Sequence, residues 1–149
     1  MTKVLFVCLG NICRSPMAEF IFRDMLTKRG LEKEFYIESC ATCRDELGNP
    51  VYPPARRKLA EYGISCEGKT ARQFTPADYD RFDHILAMED SNVRALHRFV
   101  SDTEGKICRL LDYSANPRNI ADPWYTGDFQ ITYDDIVEGC EAFLSEILA

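Results

Sequence analysis

Reactive and anion-binding side chains lie close together near the start of the chain, in the run Cys8-Leu9-Gly10-Asn11-Ile12-Cys13-Arg14-Ser15. In a tight loop of this length the backbone N–H groups converge on one point, and a helix that follows adds the positive end of its dipole. The planar guanidinium of Arg14 matches the geometry of a phosphate. The same field favours a thiolate at Cys8. The Cys-x5-Arg spacing therefore predicts a loop that holds a tetrahedral oxyanion while a thiolate attacks it.

A second group of chemically useful side chains lies far along the chain, in Ala121-Asp122-Pro123-Trp124-Tyr125. Phenolate is a poor leaving group at neutral pH, because the pKa of phenol is ~10, so attack on an aryl phosphate needs a proton donor. Asp122, beside a proline that stiffens the loop, is the candidate acid. Trp124 and Tyr125 are candidate walls for a phenyl ring. An Asp-Pro pair alone is usually a simple turn, so this assignment depends on the loop at Cys8.

The elements that must position these residues alternate between strand and helix patterns. Strands are predicted over residues 3–7, 35–42, 83–88 and 106–111. Helices are predicted over about 15–29, with Ser15 as N-cap, and over 55–62 and 131–148. Two further helices are predicted, a short one from Thr75 and one capped by Asp90-Ser91-Asn92. Residues 112–129 read as a long polar segment without secondary structure.

This alternation predicts a single doubly wound α/β domain, residues 1–149, with a four-stranded parallel sheet and helices on both faces. Ligands of such sheets bind beyond the carboxyl ends of the strands, at the point where the strand order reverses. Cys8 follows the first strand and Asp122 follows the fourth. Both are therefore predicted at the same edge of the sheet.

Composition and charge narrow the class of protein. The chain has 149 residues and a formal net charge of −6. No apolar run approaches the roughly 18 residues of a membrane span, so a cytoplasmic protein without membrane contact is predicted. Negative charge disfavours nucleic acid as a partner and repels a phosphorylated substrate at long range. Local positive potential is therefore needed. A cluster of basic residues is a candidate source, although a solvated helix face with loop charges is the more common reason for such a cluster: Arg44, Arg56, Arg57, Lys58, Lys69 and Arg72.

The seven cysteines are predicted to be free thiols, because the count is odd and no secretory signal precedes them. Cys40 and Cys43 have the Cys-x-x-Cys spacing of a zinc site, but the chain has only two histidines and no second pair of this kind. A zinc site is therefore disfavoured. Cys66, Cys108 and Cys140 lie in apolar surroundings and are predicted in or near the core.

The run from Cys8 to Pro16, followed late in the chain by Asp122-Pro123, resembles the low-molecular-weight protein tyrosine phosphatases. The likeness extends through Ala71-Arg72-Gln73, Phe82–Met88 and Asp90-Ser91-Asn92, so it covers essentially the whole chain. Cys-x5-Arg alone is shared with unrelated phosphatase folds, whereas the longer run after a first strand together with a late Asp-Pro is highly specific.

The resemblance implies hydrolysis of phosphotyrosine in a protein substrate through a phosphocysteine intermediate, without a metal or cofactor. Cys8 is implied as the nucleophile, Arg14 as the phosphate clamp and Asp122 as the general acid and then base. Ser15 is implied to hydrogen-bond the thiolate and Asn11 to shape the loop. The implied substrate-binding residues are Leu9, Gly10, Asn11, Ile12, Cys13, Ser15, Trp124, Tyr125 and Asp45.

The family also implies a reversible disulfide between Cys8 and Cys13 that protects the nucleophile from further oxidation. Two residues depart from the family pattern. Asp45 stands where relatives often have an aromatic wall, so that wall is either missing or acidic. Lys69 stands where many relatives have a histidine that supports the asparagine under the loop. Both departures concern specificity and tuning.

Two alternative functions share the anion-binding loop. A thiol-coupled arsenate reductase needs relay cysteines, typically after the third strand, and residues 82–106 contain none. A binding module for phosphorylated ligands would need no general acid, so Asp122 disfavours it. The sequence leaves the physiological substrate and the oligomeric state open.

Overall fold

Four parallel strands form one sheet in the computed structural model, which describes residues 1–149. The strands are β1 (Thr2–Cys8), β2 (Phe35–Ala41), β3 (His84–Ala87) and β4 (Ile107–Arg109), in the order β2-β1-β3-β4. The central position of β1 explains its continuous apolar sequence, because a strand covered on both faces needs apolar side chains on both. Its residues 4–7 are fully buried.

Helices cover both faces of the sheet. They are α1 (Arg14–Lys28), α2 (Pro53–Glu61), α3 (Pro76–Arg81), α4 (Asp90–Leu96), α5 (Pro123–Thr126) and α6 (Phe129–Leu148), with 3-10 turns at Glu32–Glu34 and Leu110–Tyr113. On one face, α1 packs against β1, β2 and the helices α2 and α6. On the other face, α4 packs against β3 and β4. The predicted doubly wound α/β domain is confirmed. None of the helices combines the length and apolarity needed to cross a bilayer.

Alternate residues of β1 divide the core into two clusters, because successive side chains of a strand point to opposite faces. Val4 and Phe6 join the larger cluster under α1, α2 and α6. Leu5 and Val7 join the smaller cluster with Phe82 on the other face. Both clusters therefore fix the position and direction of β1, whose last residue is Cys8.

The strand order reverses at β1, because β2 lies on one side of it and β3 on the other. The loop after β1 therefore emerges at the switch point of the sheet, where such folds bind ligands. The loop after β2 is joined to it by backbone hydrogen bonds. Thr42 N–H donates to the Cys8 carbonyl (3.0 Å) and Cys43 N–H donates to the Leu9 carbonyl (3.1 Å).

One predicted helix cap is wrong and another is partly right. α1 begins at Arg14 and Ser15 lies inside its first turn, so Ser15 is not the N-cap. Its hydroxyl instead bonds to groups of the preceding loop. α4 begins at Asp90 with Glu89 as its N-cap, and the predicted Asn92 does take part in capping, because its Oδ1 accepts from the Glu89 N–H (3.1 Å). The predicted cap at Thr75 is confirmed, since Thr75 N–H donates to Asp78 Oδ2 (2.8 Å).

The prediction that residues 112–129 lack secondary structure is wrong. The 3-10 turn Leu110–Tyr113 shortens β4, and α5 begins directly after Asp122. α6 begins at Phe129, where Asp128 accepts from the Ile131 N–H (3.0 Å). Asp122 and Asp128 each accept from a backbone N–H two or three residues later, and these bonds start α5 and α6. Such a local signal does not appear in the helical periodicity of apolar residues.

Candidate active site

The loop after β1 forms the floor of a pocket of about 200 Å³. The residues that line it are Cys8, Leu9, Gly10, Ile12, Cys13, Arg14, Cys43, Asp45, Glu46, Asp122, Trp124 and Tyr125. The structure thus brings ten of the predicted site residues to one cavity, although Cys8 and Asp122 are far apart in sequence. Asn11 and Ser15 lie beneath the floor, and Cys43 and Glu46 are lining residues that sequence reasoning missed.

The Cys8 sulfur lies at the bottom of this pocket and is almost completely buried. It accepts a hydrogen bond from the Asn11 N–H (3.2 Å) and lies 3.0 Å from Ser15 Oγ. Ser15 Oγ itself accepts from Asn11 Nδ2 (2.7 Å), so its single hydrogen is left for one of two acceptors, the sulfur or the more distant Cys40 carbonyl (3.3 Å). The Asn11 N–H, together with the Ser15 hydroxyl when it turns to the sulfur, stabilises negative charge there, which is what a nucleophilic thiolate requires.

Asn11 holds the loop in shape through its backbone and its side chain together. It is the one non-glycine residue with a positive φ (59°), a conformation that asparagine adopts more readily than most residues. Its Nδ2 donates to Ser15 Oγ and also to Ser39 Oγ (3.0 Å), while Oδ1 accepts from the Arg72 N–H (3.2 Å). The side chain is buried with each polar atom bonded, so it fixes a loop that contains no regular secondary structure.

A polar chain continues beneath the loop from Asn11 to α1. Ser39 Oγ donates to Glu19 Oε1 (2.6 Å), and Lys69 Nζ donates to the Ser39 carbonyl (2.8 Å) and lies 3.7 Å from Glu19 Oε1. Burial lowers the pKa of Lys69, and the Glu19 carboxylate opposes this shift. The lysine at the family's histidine position therefore still contacts the network under Asn11. Sequence reasoning missed Ser39 and Glu19, because nothing local shows which polar side chains meet inside a core.

Arg14 is anchored so that its guanidinium faces the pocket. Nη1 donates to Glu89 Oε2 (2.5 Å) and to the Ile120 carbonyl (2.8 Å), and Nη2 donates to Asp122 Oδ2 (3.3 Å). Burial raises the pKa of Glu89, but hydrogen bonds from Ser91 and Arg14 outweigh it and the pKa is lowered overall. Glu89 was missed, although its place just after β3 would have put it at the same sheet edge as Cys8.

Asp122 serves both as a helix cap and as a pocket residue. Oδ1 accepts from the Trp124 N–H (3.0 Å) at the start of α5, which leaves Oδ2 directed to Arg14 and the pocket. The turn that an Asp-Pro pair usually indicates is therefore present, and it positions the carboxyl group. Trp124 is about half exposed, and its ring packs on Tyr52 with 4.7 Å between centroids. Tyr125 is largely exposed at the rim.

None of the six basic residues that the sequence suggested as sources of positive potential lines the pocket. Arg72 is paired with Glu38 (3.0 Å) and Asp78 (2.9 Å), and Lys69 is held by the network under the loop. Among the lining residues Arg14 is the one cation, while Asp45 and Glu46 make part of the rim acidic. Of the basic side chains considered, Arg14 alone therefore offers positive charge to an anion in the pocket.

Cysteines of the pocket differ in their surroundings. Burial, together with the nearby Cys8 and Asp122 charges, raises the pKa of Cys13 well above its usual range. Burial also raises the pKa of Cys43, which is partly exposed. Elsewhere Cys66 and Cys140 are buried and Cys108 is partly buried against the core, as predicted. No group of three or more metal-ligating side chains comes together.

Comparison with known proteins places the chain in a family. The model of the family described as low molecular weight phosphotyrosine protein phosphatase matches residues 3–149. The low molecular weight protein-tyrosine-phosphatase YfkJ of Bacillus subtilis is 43% identical over 150 residues, which cover 99% of this chain and 96% of YfkJ. The corresponding Gallus gallus phosphatase is 42% identical over 97% of this chain and 94% of its own length.

Solved structures agree with this assignment. The YfkJ crystal structure superposes with a TM-score of 0.94 and covers 99% of this chain and 95% of its own. A Drosophila arginine phosphatase, DARP, superposes with a TM-score of 0.91 at 30% identity, with 99% of each chain covered. The chain belongs to the low molecular weight phosphotyrosine protein phosphatase family.

Proposed function

We propose that this protein hydrolyses phosphotyrosine in protein substrates, and small aryl phosphates, through a phosphocysteine intermediate. One observation carries the proposal: Cys8, Arg14 and Asp122 open into a single pocket, with Asp122 Oδ2 only 3.3 Å from the arginine that faces the anion-binding loop. This arrangement provides a nucleophile, an anion clamp and a proton donor, which are the three groups that the reaction needs.

The first step transfers the phosphoryl group to the enzyme. The Cys8 thiolate attacks phosphorus as the bond to the tyrosyl oxygen breaks, and Asp122 gives that oxygen its proton. Arg14 and the loop N–H groups bind the three equatorial oxygens, where charge is spread in the transition state. In the second step Asp122 takes a proton from water, which attacks the phosphocysteine and releases phosphate and the free thiolate.

Aromatic side chains favour a phenyl ring as the group that carries the phosphate. Trp124 and Tyr125 line one side of the pocket, and the Tyr52 ring restrains Trp124. Such a wall offers apolar contact to the tyrosyl ring. Because one structural relative is an arginine phosphatase, phosphoarginine is the informative comparison substrate. Faster hydrolysis of phosphoarginine than of phosphotyrosine peptides would change the proposed substrate class.

The nucleophile is tested by replacing Cys8. We expect the purified protein to hydrolyse p-nitrophenyl phosphate and phosphotyrosine peptides in the presence of a chelator, and Cys8→Ser to abolish both activities. Trapping with acid during turnover should label the wild-type protein with phosphate on cysteine. An active Cys8→Ser protein would refute the mechanism.

The general acid is tested through the leaving group. Asp122→Asn should lower kcat for phenyl phosphate and phosphotyrosine by about 10²- to 10⁴-fold, the usual contribution of a positioned acid. The loss should be smaller for p-nitrophenyl phosphate, whose phenol leaves more readily without protonation. An equal loss for both kinds of substrate would remove Asp122 from this role.

Arsenate reduction provides the contrast with the other enzyme that uses such a loop. No cysteine lies between residues 82 and 106 to relay oxidation away from Cys8. We therefore expect no turnover of arsenate with thioredoxin as the reductant, under conditions in which p-nitrophenyl phosphate is hydrolysed. Sustained arsenate turnover would overturn the proposed function.

We also propose that Cys13 protects Cys8 from irreversible oxidation. Peroxide oxidises the Cys8 thiolate to a sulfenic acid, which the Cys13 thiol then attacks with release of water to form a disulfide. Both residues line the same pocket. After a brief peroxide treatment, dithiothreitol should restore the activity of the wild type but much less that of Cys13→Ser. Equal recovery in both proteins would contradict the protective role.

A further inference from the structure

A second groove, of about 410 Å³, opens beside the catalytic pocket. Leu9 and Cys43 line both cavities, so a ligand that leaves the catalytic pocket over these two residues enters the groove directly. The far side of the groove is formed by α4 and the turn after it, through Ala95, Arg98 and Phe99. The reaction proposed for the catalytic pocket uses none of these three residues.

Arg98 is the one charged residue among those that line the groove, and it has no carboxylate partner. The carboxylates at the start of α4 are already paired: Glu89 with Arg14 (2.5 Å) and Asp90 with Arg109 (3.5 Å). The Arg98 side chain is exposed and makes no hydrogen bond within the protein. Its five N–H donors are therefore free for an anionic ligand, and their fork matches a carboxylate.

We infer that this groove is a subsite for an acidic side chain that flanks the phosphotyrosine in the substrate. The inference rests on the proposed function, because it places the phosphotyrosine itself in the catalytic pocket. Neighbouring Cα atoms of a peptide are about 3.8 Å apart, so a residue one or two positions from the phosphotyrosine reaches the adjoining groove. There Arg98 binds the carboxylate, and Ala95 and Phe99 contact the methylene groups of the same side chain.

Acidic residues on the rim of the catalytic pocket bear on this assignment. Asp45 and Glu46 line the catalytic pocket, whereas Arg98 lines the groove. An acidic flanking residue is therefore repelled by the rim of the catalytic pocket and attracted by Arg98. Like-charge contact disfavours keeping that residue over the catalytic pocket, so the groove is the favoured place for it.

The test uses phosphotyrosine peptides that differ only by Glu, Gln or Lys, scanned over the two positions on each side of the phosphotyrosine. At one position we expect kcat/KM for the Glu peptide to exceed that for the Gln peptide about three- to five-fold, the range of an exposed ion pair, mainly through KM. The preference should weaken in high salt. Arg98→Gln should remove it, and Arg98→Glu should make the Lys peptide the better substrate.

Two controls separate this subsite from general effects. Arg29→Gln removes an exposed arginine that lines neither cavity, so it should keep the preference for Glu. Hydrolysis of p-nitrophenyl phosphate, which has no flanking residue, should be unchanged in Arg98→Gln, which also shows that this variant folds. A Glu preference that persists in Arg98→Gln, or no Glu preference at any position in the wild type, overturns the inference.

Binding to Cys8→Ser distinguishes this inference from the proposed function. If no phosphoester is hydrolysed, the proposed function fails, but calorimetry of the same peptides with Cys8→Ser still measures the subsite. A Glu-over-Lys difference in Kd that depends on Arg98 then supports the groove. Equal Kd values for the Glu and Lys peptides contradict it.

Discussion

Asn11 shows how one side chain can determine the geometry of the loop after β1. Its positive φ turns the backbone so that its own N–H faces the Cys8 sulfur, and its amide joins Ser15 to Ser39 in the core. A loop without regular secondary structure has few other restraints. The position of the Cys8 sulfur therefore depends on a residue that does not line the pocket.

Replacing Asn11 separates the contribution of its backbone conformation from that of its side-chain hydrogen bonds. Asn11→Gly keeps the left-handed backbone accessible but removes the side-chain hydrogen bonds, and buried groups that lose a partner cost about 1–3 kcal/mol. We expect kcat/KM to fall about tenfold or more in this variant. Asn11→Ala also strains the backbone and should be about 1 kcal/mol less stable than Asn11→Gly. Urea unfolding and p-nitrophenyl phosphate kinetics measure both effects, with Asn116→Ala as a control at an exposed asparagine that does not line the pocket. Equal stability of the two variants would show that the backbone at residue 11 is unstrained.

The negative charge of Asp45 on the pocket rim should weaken the binding of phosphorylated substrates. A carboxylate that lines the pocket repels every phosphate dianion, in a protein whose net charge is already −6. Asp45→Asn should therefore lower KM for p-nitrophenyl phosphate about two-fold at low salt, with little change in kcat, and the difference should shrink as salt increases. Glu67→Gln removes an exposed carboxylate that does not line this pocket and serves as the control. A KM that is the same for Asp45→Asn and the wild type at low salt argues against this effect.

At the scale of elements, the segment that carries Asp122 is fixed from both ends. Its first part is tied to α6, because Arg118 pairs with Glu138 (2.9 Å) and Asp135 (2.8 Å), and Ser114 also donates to Glu138. Its last part becomes α5. The long connection after β4 is therefore held at both ends, which explains how it can keep the Asp122 carboxyl group beside the loop after β1.

The contacts of Glu138 with Arg118 and Ser114 make the free energy of unfolding depend on pH. Hydrogen bonds from Arg118 and Ser114 lower the pKa of Glu138 from 4.5 to about 2. Because the folded-state pKa is the lower one, this stabilisation is present above about pH 4.5 and is lost as the pH falls towards 2. The side chain is partly exposed, so we expect Glu138→Gln to lower the free energy of unfolding by only ~0.5–1 kcal/mol, measured by urea unfolding at pH 7. The difference from the wild type should vanish near pH 2. A deficit that is independent of pH would mean that charge is not its cause.

On the scale of the whole molecule, aromatic packing joins the first and last helices to each other and to one face of the sheet. The Phe22 ring of α1 lies 5.8 Å from Phe6 in β1, 5.7 Å from Phe35 in β2 and 5.7 Å from Phe143 in α6. All four side chains are buried. The helix that follows the loop after β1 is therefore fixed by contacts made with residues from the other end of the chain.

Truncating Phe22 should weaken the whole fold. Phe22→Ala removes a fully buried ring and should cost about 3–5 kcal/mol of the free energy of unfolding. Phe20→Ala is the matched control on the same helix, because Phe20 is only partly buried, and it should cost clearly less. Urea unfolding followed by circular dichroism and by phosphatase activity should give one coincident transition for both variants. Loss of activity well before loss of helix would show that the site unfolds separately from the core.

Much of the site was determined by local sequence. A buried strand followed by Cys-x5-Arg predicted the anion-binding loop, since chain spacing alone directs the loop N–H groups and Arg14 to one place. The alternation of strands and helices predicted the parallel sheet, and the rule that ligands bind at the carboxyl edge placed Asp122 near Cys8. The sheet is confirmed, and Cys8, Arg14 and Asp122 do line one pocket, because both predictions depend on distances along the chain and on the general geometry of parallel sheets.

Only the tertiary structure decided which distant side chains complete the site. Glu89 anchors Arg14, and Ser39 and Glu19 extend the network under Asn11, yet none of these contacts has a local pattern. The fold also showed that the basic residues near Arg72 are used elsewhere and that Arg98 is unpaired beside the pocket. Hydrogen bonds and ion pairs are short-ranged and directional, so their partners are fixed only when the packed core brings remote segments to within a few ångströms.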